Sequence, residues 1–211
     1  IARGLRLNPR FSTSGFDLAD PARKFSRLGE WDMARLESAL DRISGVMIHY
    51  NCENRDYPLF AGQLDRIEAE FGGFLEKLDW VSLGGGIHFT GEGYPLDDLA
   101  DRLRAFSDRF GVQVYLEPGE ASITGTTTLE VSVLDILDNG KKVAVVDSSI
   151  EAHMLDLLIY RENAKLPQDG AHEYQIAGKS CLAGDIFGDA RFDRPLAVGD
   201  RISVQDAAGY T

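Results

Sequence analysis

Thiols are scarce in this 211-residue chain, which holds only two cysteines. Cys52 and Cys181 lie far apart and as a pair fit no metal-ligand spacing. A zinc motif and a disulfide framework are therefore both excluded, and two reduced thiols in a cytoplasmic protein are expected. Also missing is any apolar run of the roughly 18–20 residues that a membrane helix requires, so no membrane partner is expected. Positive charge is in deficit, with 22 Lys and Arg against 34 Asp and Glu and a net charge of −12. That balance argues against nucleic acid and is compatible with cationic ligands, although most acidic surfaces only confer solubility. Internal repeats and low-complexity tracts are absent too, which removes solenoids and fibrous classes.

What remains is globular composition, 44% hydrophobic and 27% charged, enough for one large domain or two small ones. Gly4–Asn8 reads as a strand closed by Asn8-Pro9. The polar stretch from Phe11 to Glu30 is too long for a plain connector. Met33, Leu36 and Leu40 mark a short helix, and Ile43–Asn51 a second strand. Phe60, Leu64, Ile67, Phe71 and Phe74 recur at helical spacing. Trp80–Leu83 is a third strand running into three glycines. Tyr94-Pro95 followed by Asp97 and Asp98 opens another helix, because proline suits the first turn and acids suit its positive end. Val112–Leu116 is the fourth strand. Alternating β and α elements of this kind imply a parallel sheet.

Beyond Ala121 the rhythm becomes β-rich. Thr126–Leu137 and Lys142–Ser148 read as strands joined by Asp138-Asn139-Gly140, a hairpin signal. Tyr174–Ala177, Ala197–Val198 and Ile202–Val204 follow as short strands, with one helical segment near Ile150–Ile159. Two domains are expected, 1–121 and 122–211. Four βα strands cannot close an eight-stranded barrel. Either the sheet is open, or the first half of a barrel lies upstream of Ile1, and a start within a strand favours the second.

Several residues could carry chemistry. Gly84-Gly85-Gly86 ends a strand, where backbone N–H groups can approach a phosphate with no Cβ between them; a tight turn explains them equally well. His49 ends the run VMIHYN, as either a core histidine or a site residue. Glu117 stands at the tip of VQVYLEPGEA, where parallel folds put their chemistry. It could hold a proton on a nitrogen heterocycle, act as a base, or cap a helix. No second Asp, Glu or His is spaced to complete a metal set, so no metal is expected. On local sequence alone, Cys181 reads as a turn residue and Asp147 as a surface charge.

Taken in series, NP-x-x-S-x-x-G, DLADPARKFSRLGE, HYNCEN, WVSLGGGIHFT, VYLEPGEA, VVDSSIEAHMLDLL, KSCLAGD and QDAAGYT resemble the carboxynorspermidine (carboxyspermidine) decarboxylases. These belong to the alanine-racemase-like, fold-type III pyridoxal-phosphate enzymes. The resemblance runs from end to end and implies the C-terminal half of a (β/α)₈ TIM-like barrel, then a mainly β domain, in a homodimer with shared active sites. It also implies pyridoxal 5′-phosphate as cofactor and a polyamine carboxylate as substrate. His49 would stack on the cofactor ring, and Gly84, Gly85, Gly86 and Gly119 would serve its phosphate. Glu117 would bond the pyridine nitrogen, with Arg6 beside it, and Tyr210 would reach the cofactor near its phosphate. Cys181 would act at Cα in the partner's site, and Asp147 and Asp185 would hold the distal amine. The chemistry suits these types, because the negative charge left on Cα by departing CO₂ needs an electron sink, which a protonated pyridine ring supplies.

Two departures stand out. No lysine here matches the family's cofactor-bearing lysine, Lys24 included, which again points to a segment upstream of Ile1. Related decarboxylases often follow EPG with Arg, whereas this chain has Glu120; substrate amines or a neighbouring basic group are its expected partners. Diaminopimelate- or ornithine-type decarboxylation, racemisation, and non-catalytic cofactor binding are the rival readings.

Overall fold

The computed structural model describes residues 2–209. The chain divides into two compact units, Ile1–Ser122 and Ile123–Thr211.

The first unit is a four-stranded parallel sheet in the order β1 (Gly4–Arg6), β2 (Gly45–Met47), β3 (Trp80–Ser82), β4 (Gln113–Tyr115). Helices α1 (Met33–Glu37), α2 (Tyr57–Leu75) and α3 (Leu96–Phe110) connect the strands. The expected strands were longer, because their flanks run on as extended chain: Leu7 still donates to the Met47 carbonyl and Leu83 to the Tyr115 carbonyl, both at 2.9 Å. Helix α2 starts where the Asp56 carboxylate accepts from the Leu59 amide at 3.0 Å, with Pro58 in its first turn. Its stripe Phe60, Leu64, Ile67, Phe71 and Phe74 is buried, as its spacing foretells. Each such side chain contributes about 1.5–3 kcal/mol on leaving water. Helix α3 ends at Gly111, whose φ of 66° suits a residue without a Cβ. Trp80 lies across the glycines of β1 and β2: a Cβ at Gly45 would meet its ring at 2.1 Å, and one at Gly4 at 2.4 Å. The stretch from Phe11 to Glu30 forms turns and bends without a helix.

The second unit is a five-stranded sheet, β8-β7-β6-β5-β9. It comprises β5 (Thr128–Asp138), β6 (Lys142–Val146), β7 (His172–Ala177), β8 (Ile186–Phe192) and β9 (Arg201–Gln205). Pairing is antiparallel except between β6 and β7. The β5–β6 hairpin turns at Asn139-Gly140, with Gly140 at φ 78°. Helices α4 (Ile150–His153) and α5 (Leu155–Tyr160) fill the interval after β6. Two expectations need correction. Strand β8 has no clear signal in sequence, because Gly188 (φ 137°) and Asp189 interrupt its alternation. Ala197–Val198 is not a strand: it leads into a turn in which the Asp200 carboxylate accepts from the Ala197 amide and pairs with Arg194. Among the described residues no helix is long and apolar enough to cross a membrane.

Candidate active site

Register places the site. Arg6, Met47, Ser82 and Tyr115 are aligned across the parallel ladder. Two residues further on, the chain carries Asn8, His49, Gly84 and Glu117, so one row at the carboxyl ends of adjacent strands collects residues more than a hundred positions apart. Such edges are where parallel α/β sheets bind ligands.

The glycines are wedged between loops. A Cβ at Gly84 would come within 2.4 Å of His49 Nδ1, at Gly85 within 2.3 Å of the Glu117 carbonyl, and at Gly86 within 2.4 Å of the Asn51 carbonyl. Gly84 and Gly86 also need positive φ, 71° and 78°. The Gly119 amide nitrogen lies 3.8 Å from the point a Gly85 Cβ would occupy. Backbone bonds pin the loops together: Glu117 donates to the Gly84 carbonyl, Asn54 to that of Gly86, and His88 to that of Asn54, each at 2.9 Å.

His49 Nδ1 accepts from the Gly85 amide at 3.3 Å. Burial lowers its pKa, the Arg6 charge lowers it further, and Glu117 opposes both. The ring is therefore neutral near pH 7, with its proton on Nε2. Arg6 is partly buried; burial lowers its pKa and Glu117 counters. Ser82, which the sequence reading passed over, donates its hydroxyl to Glu117 Oε1 at 2.5 Å. Its spacing two residues before Gly84, on the strand face opposite Val81 and Leu83, is a signal that could have found it.

A second grouping was hidden by sequence distance. Glu53, His88 and Glu120 bring donor atoms within 4.8 Å of one another, whereas no metal set was visible in the sequence. His88 Nε2 bonds Glu53 at 2.7 Å and lies 3.9 Å from Glu120. Hydrogen bonding to Glu53 raises the His88 pKa above its ordinary 6.5, and the same bond lowers Glu53 below 4.5. Protonated on Nε2, His88 would give Glu53 and Glu120 a common cationic neighbour. The His88 contribution to stability is complete below about pH 6.5 and is lost as pH rises through its raised folded value. The Glu53 contribution is complete above about pH 4.5 and is lost as pH falls through its lowered value. His88→Gln should therefore lower the thermal midpoint most between these limits and converge on the wild type at alkaline pH. Thermal melts of both proteins from pH 5 to 9 check this; a difference independent of pH would refute it.

The other expected residues lie in the second unit. Cys181 is exposed, in the turn after β7. Asp147 is exposed, and its Oδ1 accepts from the Ser132 amide at 2.8 Å, the main cause of its lowered pKa. Asp185, the other acid expected at the distal amine, is held by backbone amides. It is 3% exposed, one oxygen accepts from the Ile150 amide and the other from Ser180, and its carboxylate fills the space beside Gly178. It holds a turn. Tyr210 lies outside the described residues.

A paired acid, a neutral imidazole and a backbone cradle of three glycines fit a phosphorylated pyridine. The chain belongs to the pyridoxal-dependent decarboxylases, whose C-terminal sheet domain model matches residues 40–208. It is 63% identical to carboxynorspermidine/carboxyspermidine decarboxylase of Herminiimonas arsenicoxydans, over 99% of this chain and 58% of that protein. It is 36% identical to carboxyaminopropylagmatine decarboxylase of Synechocystis, over 100% of this chain and 56% of that one. Among solved structures it resembles carboxynorspermidine decarboxylase from Campylobacter jejuni complexed with norspermidine, at TM-score 0.83 and 34% identity, covering 100% of this chain and 59% of that one. The chain thus spans somewhat more than half the length of these relatives.

Proposed function

We propose that the full-length protein decarboxylates carboxynorspermidine or carboxyspermidine, with pyridoxal phosphate as cofactor. One observation carries the reading: Glu117, His49 and Gly84, the first of the three glycines, fall on one sheet row in a chain 63% identical to a decarboxylase of that specificity. The first unit is read as the C-terminal half of a (β/α)₈ barrel, and the second as the β domain that completes the site of a partner subunit in a homodimer. Cys52 and Cys181 are not joined in a disulfide, which suits a cytoplasmic location.

When bound, the cofactor supplies a protonated pyridine ring that accepts the electron pair left on Cα as CO₂ departs. Glu117 would hold the ring nitrogen's proton, and its negative charge, with Arg6 near it, suits a cationic ring. His49, neutral, would lie on the ring face without adding charge. The loops at Gly84–Gly86 and Gly119 would hold the phosphate, with the Gly86 and Gly119 amides as donors, because those of Gly84 and Gly85 donate to Ser82 Oγ and His49 Nδ1. Cys181 would deliver a proton to Cα from the partner subunit, and exposed Asp147 would hold a distal ammonium. Glu120 is assigned to His88 rather than to substrate.

The test is Cys181→Ala in the full-length protein, assayed on carboxynorspermidine, carboxyspermidine, diaminopimelate and ornithine. A positioned proton donor contributes about 10²–10⁴-fold, so the rate should fall by about 100-fold or more on the first two substrates. An unchanged rate and product would remove Cys181 from the mechanism, and preference for either of the last two would replace the substrate. A second reading, favoured by the identity to the Synechocystis protein, changes only the substrate, to carboxyaminopropylagmatine.

A further inference from the structure

We infer that Ser82 is the positioning residue that aims Glu117, by committing one carboxylate oxygen to the protein and leaving the other for a bound ligand. The inference rests on the proposed function and adds a residue that the reading did not contain.

Ser82 closes β3 and is 3% exposed. Its neighbours Val81 and Leu83 point into the hydrophobic core and are fully buried, so alternation turns Ser82 to the opposite face, toward Glu117. A buried hydroxyl in such a place must be accounted for on both its donor and its acceptor side. The acceptor side is taken by the Gly84 amide, which donates to Ser82 Oγ at 3.2 Å. An amide keeps its proton, so the single hydroxyl hydrogen has to leave in another direction. It goes to Glu117 Oε1 at 2.5 Å. The amide takes one lone pair of Oγ, and the hydroxyl hydrogen is left for Oε1, so Ser82 donates and Oε1 accepts.

Two consequences follow for Glu117. Its side chain has three rotatable bonds, and ordering such a chain costs on the order of 1.5–2 kcal/mol in lost freedom. Anchoring Oε1 removes that freedom before any ligand arrives. The two oxygens also become inequivalent. Oε1 belongs to Ser82, and among the described residues Oε2 accepts no hydrogen bond, so the acceptor presented to a ring nitrogen is Oε2. Ser82 also joins this acid to Gly84, the first residue of the phosphate cradle. The groups that meet the two ends of the ring are thus set by one hydroxyl. The alternative role, a serine that merely satisfies the Gly84 amide, predicts different behaviour.

The discriminating experiment is a double-mutant cycle in the full-length protein, with Ser82→Ala and Glu117→Gln made singly and together. Pyridoxal phosphate affinity is measured by equilibrium dialysis, and kcat and KM with carboxynorspermidine. A hydrogen bond to a charged group corresponds to roughly tenfold in such a constant. Ser82→Ala should weaken cofactor binding about tenfold and lower kcat by a similar factor. In the Glu117→Gln background it should change affinity by less than about twofold, because residues acting as one unit are not additive. Ser82→Thr, which keeps the hydroxyl, should restore most of the loss. An equal loss in both backgrounds would make Ser82 a turn residue only, as would the absence of any loss. Failure of the underlying function has a separate signature: Glu117→Gln alone would then leave both affinity and rate intact.

Discussion

Glu117→Gln should leave the full-length protein folded and lower its decarboxylation rate by about 10²–10³-fold, the range for removing one preorganised electrostatic partner of a reaction. The substitution changes charge with almost no change of shape. The amide oxygen can still accept from Ser82 in place of Oε1, so the strand end should keep its geometry. The other terminus becomes an NH₂ group, a donor facing a ring nitrogen that must itself be a donor to act as an electron sink. Two donors cannot share one hydrogen bond. The nitrogen then loses its proton or its partner, and either outcome weakens the sink. Circular dichroism should match the wild type while kcat falls. A near-wild-type kcat would remove Glu117 from the chemistry.

Gly85→Ala should abolish cofactor binding, raising the dissociation constant for pyridoxal phosphate by about 100-fold or more, as displacements near 1 Å at a site can do. Unlike Gly84 and Gly86, Gly85 has no positive φ, so its constraint is space alone. A methyl group there would lie 2.3 Å from the Glu117 carbonyl oxygen and 3.3 Å from its carbon. Both are backbone atoms, and Glu117 is further tied to Gly84 through its own amide. The clash therefore separates the two loops that form the cradle and displaces the acid with them. Gly73→Ala is the matched control. It lies inside α2 with nothing near its would-be Cβ, and a helical Gly→Ala exchange stabilises by up to about 1 kcal/mol. Dialysis against pyridoxal phosphate separates the two, and an unchanged affinity in Gly85→Ala would refute the cradle.

Much of this was legible in the sequence because it follows local rules. The stripe Phe60–Phe74 and the acids opening α3 mark helices through spacing and charge, and Asn139-Gly140 marks a hairpin through its turn chemistry. That His49, Gly84 and Glu117 share one edge could be read because each follows a strand, and parallel strands end on one edge. What escaped depends on contacts distant in sequence. Ser82 and Glu117 are 35 residues apart, as are Glu53 and His88, and nothing local ties either pair. Strand β8 was missed because Gly188 and Asp189 break its alternation, while its pairing with β7 supplies the order its own residues do not. The two backbone amides that face Asp185 are likewise invisible in the chain of letters.

The common row of His49, Gly84 and Glu117 gives each of them an address of two residues past the last aligned pair, whatever the chain does in between. Length is therefore unevenly constrained. Length added at a solvent-exposed turn away from the row, in a segment that stays flexible, costs only about 0.6 kcal/mol per doubling of that segment. One residue inserted between Met47 and His49, or between Tyr115 and Glu117, would shift the following side chain to the opposite face of the sheet. In the drift of this protein's length over time, the tolerant and the intolerant positions stand only a few residues apart.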